Sequence, residues 1–443
     1  MINLSPELSA ILMIIGMMVG LYFGQPVAFV MGGVATIMSI LGWGPAGLYL
    51  FMNRSFDTIT NNIMIAIPLF ILMASFLEKS GMADELFEAM MHVFGSLNGG
   101  IALAVVVLSV IFAATTGIMG ATVVSMSVMA IPMMMKREYD KCLATGCVAA
   151  GGSLGILIPP SIMLVMMADQ SGISVGRLFA GAFLPGALLG VLFFVYVLIV
   201  TAIDPSKGKA LTEEERKAIP RPVLIKKLLK SLVPPLLLIL AVLGSIWMGV
   251  ATPTEAAGVG ALIALLLMIA YKRFTWKALL EALYSTFKSN CMVLATMIGA
   301  TLFTGVFLGL GGGDVVTNLV MSFAGLGRWG IFFIMMLIVF LLGFMVDWIG
   351  IIYMTFPIFL PIAESLGFDL LWFVIMMAVN LQMSFLTPPF GYALFYLKGT
   401  VPPSINLGHI YRGAVPFVAL QMLGLVILCF APIIVMYIPN LLF

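Results

Sequence analysis

Apolar windows about as long as a membrane is thick recur along almost the whole chain, and this recurrence limits what the chain can fold into. A helix needs about 20 apolar residues to cross the hydrocarbon of a bilayer. Windows of this kind fall near 8–23, 26–44, 61–78, 142–168, 178–203, 231–250, 255–271, 289–310, 369–398 and 411–440. Only 9% of the 443 residues are charged and 62% are hydrophobic, whereas a soluble domain carries about 25% charged residues. A water-soluble protein this apolar could not cover its surface, so the expected fold is an all-α polytopic membrane protein. The run 8–23 has no basic residue before it and no small-residue cleavage site near it, so it is expected to be a retained span. A net charge of +2 gives no footprint for nucleic acid. The four cysteines match no zinc or disulfide spacing. His92 and His409 fall near segment ends, where an interfacial role is expected.

Two further stretches, 100–135 and 329–366, are too long for one comfortable span. The first has Gly117 and Gly120 at its middle, the second Gly343, Asp347 and Gly350. Each is expected to be a re-entrant helical hairpin, tolerated at membrane depth only where the turn is buried in protein or lines a cavity. Charge supports this. Let both hairpins enter and leave on one side, and let the hydrophilic segment 204–230 be cytoplasmic. Only Arg54, Arg177 and Arg328 of the 21 basic residues then fall outside, in line with the excess of Lys and Arg in cytoplasmic loops. Each half crosses five times, giving two inverted repeats, 1–203 and 231–443, joined by the 204–230 linker. Both termini are expected to be periplasmic. The Thr212-Glu213-Glu214-Glu215 start of the linker suits a surface helix.

In each half the hairpin is followed by an apolar segment broken by glycine and a double proline. The first reads Gly151-Gly152-Ser153-Leu154-Gly155-Ile156-Leu157-Ile158-Pro159-Pro160-Ser161, the second Gln382-Met383-Ser384-Phe385-Leu386-Thr387-Pro388-Pro389-Phe390-Gly391. Proline removes a backbone donor and pushes its predecessor out of helical geometry, so both segments are expected to unwind. Unwound carbonyls and hydroxyls suit a small hard cation such as sodium, and half-helix N-termini suit an anion. The hairpin tips supply the rest of the cavity: Thr115, Thr116, Gly117, Gly120 and Thr122 in the first, and Asp347 in the second. An ionisable residue inside a membrane is costly and points to function. Ser125 and Ser127 are expected to bond their own helix. Asp169 reads as an exposed loop acid, and Thr252-Pro253-Thr254-Glu255 as a capped helix start.

A phosphate-binding G-x-x-x-x-G-K-[ST] loop and an H-E-x-x-H zinc motif are absent, and Asp347 has no second acid at membrane depth for an intramembrane enzyme. A transport protein is the favoured reading. A sodium-coupled carrier of a small organic anion leads, with a proton-coupled carrier using Asp347 as the alternative. A channel or an intramembrane enzyme ranks lower.

The three stretches Ala149-Ala150-Gly151-Gly152-Ser153-Leu154-Gly155-Ile156-Leu157-Ile158-Pro159-Pro160-Ser161, Gly249-Val250-Ala251-Thr252-Pro253-Thr254-Glu255-Ala256-Ala257 and Phe385-Leu386-Thr387-Pro388-Pro389-Phe390-Gly391, in that order, resemble the large membrane subunit of the tripartite ATP-independent periplasmic (TRAP) transporters, within the ion-transporter superfamily. The resemblance covers essentially the whole chain. It implies sodium-driven uptake by an elevator motion in a bacterial inner membrane. It also implies a small four-helix membrane subunit, here expected as a separate chain, and a soluble periplasmic binding protein. Implied substrates are mostly carboxylates, with some sulfonates. Carried onto this sequence, one sodium ion is expected among Thr116, Gly117, Gly152, Ser153, Gly155 and Ile156. A second is expected among Gly343, Asp347, Gly350, Gln382, Ser384 and Thr387. Substrate would lie between them, near Thr115, Thr116, Gly120, Thr122, Ser153, Ser161, Asp347, Ser384 and Thr387.

Overall fold

Long apolar stretches with few breakers become helix almost throughout. In the computed structural model residues 4–117, 119–217, 219–388 and 391–443 are described, with the side chains of Thr115, Thr116 and Lys217 outside the described set. The first part of the chain forms α1 (Pro6–Tyr22), α2 (Val27–Trp43), α3 (Tyr49–Thr60), α4 (Ala66–Lys79), α5 (Met82–Val93), α6 (Gly100–Thr116), α7 (Met119–Lys136), α8 (Lys141–Ser153), α9 (Ile162–Ser171) and α10 (Val175–Ile203). A short α11 (Glu213–Lys217) follows. The rest forms α12 (Arg221–Trp247), α13 (Pro253–Ala270), α14 (Trp276–Gly309), α15 (Gly312–Met321), α16 (Gly327–Leu342), α17 (Trp348–Ser365), α18 (Leu370–Ser384), α19 (Tyr392–Lys398), α20 (Leu407–Phe430) and α21 (Ile433–Leu442). No strand occurs among the described residues. Among the described residues, ten candidate spans are long and apolar enough to cross a membrane, so the chain is an all-helical, multi-pass membrane protein.

Local chemistry sets the helix starts. Asp140 accepts from the Leu143 amide at 2.8 Å to open α8, and Asp369 accepts from the Trp372 amide at 2.9 Å to open α18. Thr252 and Glu255 form a reciprocal capping box on α13, as their spacing predicts, and Asn406 does the same with His409 on α20. Such caps satisfy amides that the helix itself leaves free.

Both ends of the α6–α7 pair meet one segment of the linker. The Gly99 amide donates to the Gly208 carbonyl at 2.8 Å, and the Asp140 amide to the Lys207 carbonyl at 3.0 Å. Arg137 forks onto Glu215 through two bonds of 2.9 and 2.6 Å. That guanidinium, helped by the Thr212 amide, holds the Glu215 carboxyl down to about 2. The two ends of the α16–α17 pair also meet. Trp329, at the start of α16, lies 5.3 Å from the ring of Phe368, which follows α17, and 6.0 Å from that of Trp372. Each pair is therefore a hairpin that returns to the side it started from.

Some boundaries differ from the sequence reading. Helix α12 begins at Arg221 and α14 at Trp276, so each starts well before its apolar window. Residues 411–440 form two helices, because Ala431 leaves helical geometry beside Pro432. The expected reading has no helices at α3, α5 and α15. Asn53, Arg54 and Asp57 in α3, and Asp84, Glu85, Glu88 and His92 in α5, dilute those windows below span hydropathy.

Candidate functional site

The first hairpin reverses at Gly117, whose φ is +59°. A Cβ built there would stand 3.0 Å from the Pro160 carbonyl oxygen. Left-handed backbone and close approach both demand glycine, and together they seat the first tip on the first break. The second hairpin ends α16 at Gly343. A Cβ on Gly343 would fall 2.1 Å from Ser384 Oγ, so the second tip is pressed on the second break in the same way. Asp347 then stands at the N-cap of α17 with extended backbone, φ −64° and ψ 150°.

The first break is a turn of tight helix over Leu154–Ile156 followed by irregular backbone to Ser161. Ser161 caps α9 and donates its hydroxyl to the Ile156 carbonyl. In the second half, α18 stops at Ser384 and α19 begins at Tyr392. The two breaks touch. Gln382 donates its amide to Ser153 Oγ at 3.3 Å, and Gln421 of α20 donates to the same oxygen at 3.3 Å. All three residues are buried.

Both tips and both breaks border one cavity of about 110 Å³. From the first half it is lined by Gly117, Met119, Gly120, Ile156 and Ile162. The second half contributes Asp347, Trp348, Ile349, Phe385, Tyr392 and Tyr396, and α4 and α14 close it with Ile71, Ser289, Met292 and Val293. Three helices of ten residues or more begin at this wall: α7, α9 and α17. Their first amides have no intrahelical acceptor and their dipoles present positive ends.

The structure brings only some of the sequence candidates to the cavity wall. Gly117, Gly120, Ile156 and Asp347 line it. Gly152 packs on Val123 of α7, and Gly350 on Val346 and on Met31 of α2, away from the cavity. Gly155 is buried in the first break. Thr122 is buried in α7 outside the lining, Ser384 donates to the Leu381 carbonyl at 2.7 Å, and Thr387 donates to the Met383 carbonyl at 2.9 Å. The side chains of Thr115 and Thr116, and residues Pro389 and Phe390, lie outside the described residues.

Other expectations need revision. Ser127 accepts from Thr400 Oγ1 at 2.8 Å, and Ser125 reaches Glu78 at 3.4 Å, so neither bond stays within its own helix. Asp169 is no free loop acid: it accepts from Asn61 Nδ2 at 2.6 Å. The sequence reading passed over Trp348, Tyr392, Tyr396, Gln421 and the α14 wall. Tyr392 and Tyr396 are four apart directly after the second break. Ser289 and Asn290 interrupt the apolar character of α14. Both were visible signals.

The family model described as tripartite ATP-independent periplasmic transporter, DctM component, matches residues 14–434. The chain is 30% identical over 455 residues to the C4-dicarboxylate TRAP transporter large permease protein DctM of Vibrio cholerae, covering 97% of each. It is 30% identical over 420 residues to the isethionate TRAP transporter permease protein DctMQ of Oleidesulfovibrio alaskensis, covering 94% of this chain and 64% of that one. It is 26% identical over 426 residues to the sialic acid TRAP transporter large permease protein SiaM of Vibrio cholerae, covering 95% of this chain and 96% of the relative. Among solved structures, the Alcanivorax borkumensis YdaH transporter shares the fold at a TM-score of 0.63 and 13% identity, over 95% of this chain and 97% of that one.

Proposed function

The chain belongs to the DctM component family of the tripartite ATP-independent periplasmic transporters, and on that premise we propose that it carries a small organic anion across the membrane together with sodium. It is a large permease, a component of a transporter and not an enzyme. The observation that carries the finer reading is the single cavity at which both hairpin tips meet both breaks. Interrupted segments at matching places in two halves point to a transport site.

The charge balance of the cavity argues for a co-transported cation. No Lys or Arg is among the described residues that line it, whereas Asp347 does. An anionic substrate is attracted by the starts of α7, α9 and α17 and repelled by Asp347. Two like charges about 4 Å apart repel by about 4 kcal/mol at an effective dielectric of about 20. A sodium ion bound with the substrate offsets that repulsion, which couples the two. Oxygen donors for one ion are available around Gly117 and the 151–161 break, and for a second around Gly343, Asp347 and Gln382.

The names of relatives mention C4-dicarboxylate, isethionate and sialic acid, all small organic acids, and this chain is assigned the same broad class. The reading further comprises an elevator motion of the hairpins and broken helices. It places the chain in a bacterial inner membrane, with the 204–230 segment cytoplasmic and both termini periplasmic. Its partners are a separate small membrane subunit and a soluble periplasmic binding protein. Asp347 at the cavity wall favours one second reading, proton coupling through that carboxyl.

The test is uptake of labelled organic acid into proteoliposomes holding the chain and both partners, with the sodium gradient on or off. Accumulation that vanishes without sodium supports the proposal. Full accumulation driven by a proton gradient alone transfers the coupling to Asp347.

A further inference from the structure

A second cavity, of about 180 Å³, lies away from the transport site, on the face that carries the linker. It opens between the start of α8, the end of α10 and the start of α20. Lys207, Arg412, Tyr196, Cys142, Phe417 and Asp140 are on its wall, and none of these borders the transport cavity.

Its cations form no direct ion pair among the described residues, and the backbone that carries Lys207 is fixed. The Lys207 carbonyl accepts from the Asp140 amide at 3.0 Å, and the next carbonyl, of Gly208, accepts from the Gly99 amide at 2.8 Å. The backbone that presents Lys207 is therefore pinned to the base of the first hairpin. Arg412 projects from the second turn of α20. Among the described residues neither cation forms an ion pair. The one acid on the described wall, Asp140, caps α8 through the Leu143 amide at 2.8 Å and keeps its charge, so the two cations leave the wall with a net positive charge of one. The remaining wall is apolar and aromatic: Phe417 stacks edge-on with Tyr196 at 5.1 Å and with Phe193 at 5.2 Å.

Two unpaired cations beside an apolar wall, at the end of membrane-spanning helices, suit an oxyanion attached to an apolar stem. We propose that this cavity binds a phosphate group, supplied as the headgroup phosphodiester of an anionic membrane lipid. The planar guanidinium of Arg412 meets two phosphate oxygens in a fork, and Lys207 adds a point charge. Basic pockets between spanning helices on this kind of face recognise such headgroups. The inference rests on membrane residence and on the proposed cytoplasmic side of the 204–230 segment, and not on the proposed sodium coupling or substrate class.

The test uses the purified full chain in detergent, with added phosphatidylglycerol, phosphatidylcholine or inorganic phosphate. Native mass spectrometry counts retained lipid on the folded protein, and thermal unfolding reports stabilisation. Phosphatidylglycerol, and not phosphatidylcholine, is expected to be retained and to raise the unfolding midpoint. Arg412→Gln and Lys207→Gln are each expected to weaken retention by about fivefold, with Arg412→Lys intermediate. Inorganic phosphate that protects the wild type and not the double variant would keep the pocket but overturn its lipid assignment. Retention that is absent, or unchanged in the folded double variant, would overturn the proposal.

Discussion

The first and second halves share a plan of hairpin tip and break, yet they bring different chemistry to the cavity. Among the described residues the first contributes glycines and apolar side chains, Gly117, Gly120, Ile156 and Ile162; the hydroxyls of both breaks turn to their own backbone, Ser153 to the Ala150 carbonyl at 2.8 Å and Ser384 to that of Leu381 at 2.7 Å. The second contributes the acid Asp347 and the aromatic residues Trp348, Phe385, Tyr392 and Tyr396. The two halves repeat an architecture but not the chemistry of the wall they build. Among the described lining residues, the first half supplies glycine and apolar surface, and the second half supplies the acid and the aromatic faces.

The most damaging way to test that asymmetry is at the acid. Asp347→Asn is expected to lower sodium-driven uptake by at least about tenfold, equivalent to about 1.4 kcal/mol, with Ser161→Ala, in the first break, far milder. Equal losses would dissolve the distinction. The two tips should differ next. Gly343→Ala forces a methyl to within 2.1 Å of Ser384 Oγ, and overpacking of this kind costs about 1–3 kcal/mol. Gly117→Ala meets the Pro160 carbonyl less closely, at 3.0 Å, but adds left-handed strain of about 1–2 kcal/mol. Thermal unfolding of both variants, with uptake measured alongside, shows whether each tip is as tightly seated as its contact distance implies.

A smaller effect is expected where the breaks join. Gln421 and Gln382 each leave their Oε1 without a protein partner, and a buried acceptor left unpaired costs about 1–3 kcal/mol. Gln421→Leu removes one hydrogen bond to Ser153 together with one orphaned acceptor. Stability should change by less than about 1 kcal/mol, read as the shift in unfolding midpoint. The smallest effect concerns the linker. Glu215 has its carboxyl held at about 2 against an ordinary 4.5. Because the folded value lies below the unfolded one, its contribution is complete above about pH 4.5 and is lost as the pH falls towards 2. Protection of the Leu211 and Thr212 amides, measured relative to their intrinsic exchange rates, should fall over that range, and Arg137→Ala should lower that protection at neutral pH.

Much of this arrangement was legible in the sequence because it is written in local backbone chemistry. Glycine at 117, the double prolines after 158 and the Thr252/Glu255 spacing each act on residues a few positions away. Gly152 and Gly350 were read from the same local signal, but small residues also serve helix packing, and these two face Val123 and Met31. The wall formed by Ser289, Met292 and Val293, and the bond from Gln421 to Ser153, depend on helices distant in sequence. No spacing rule reaches across such intervals. The short helices α3 and α5 escaped a search tuned to membrane thickness because they carry too much charge.

The central claim is that the cavity beside Asp347 and Trp348 binds sodium with the transported anion. Sodium titration followed by the fluorescence of Trp348, as the difference between the wild type and Trp348→Phe, tests it most directly. A saturable change with sodium and not potassium, weakened in Asp347→Asn, is the expected result. A difference signal indifferent to sodium, or equal for the two ions, would contradict the account.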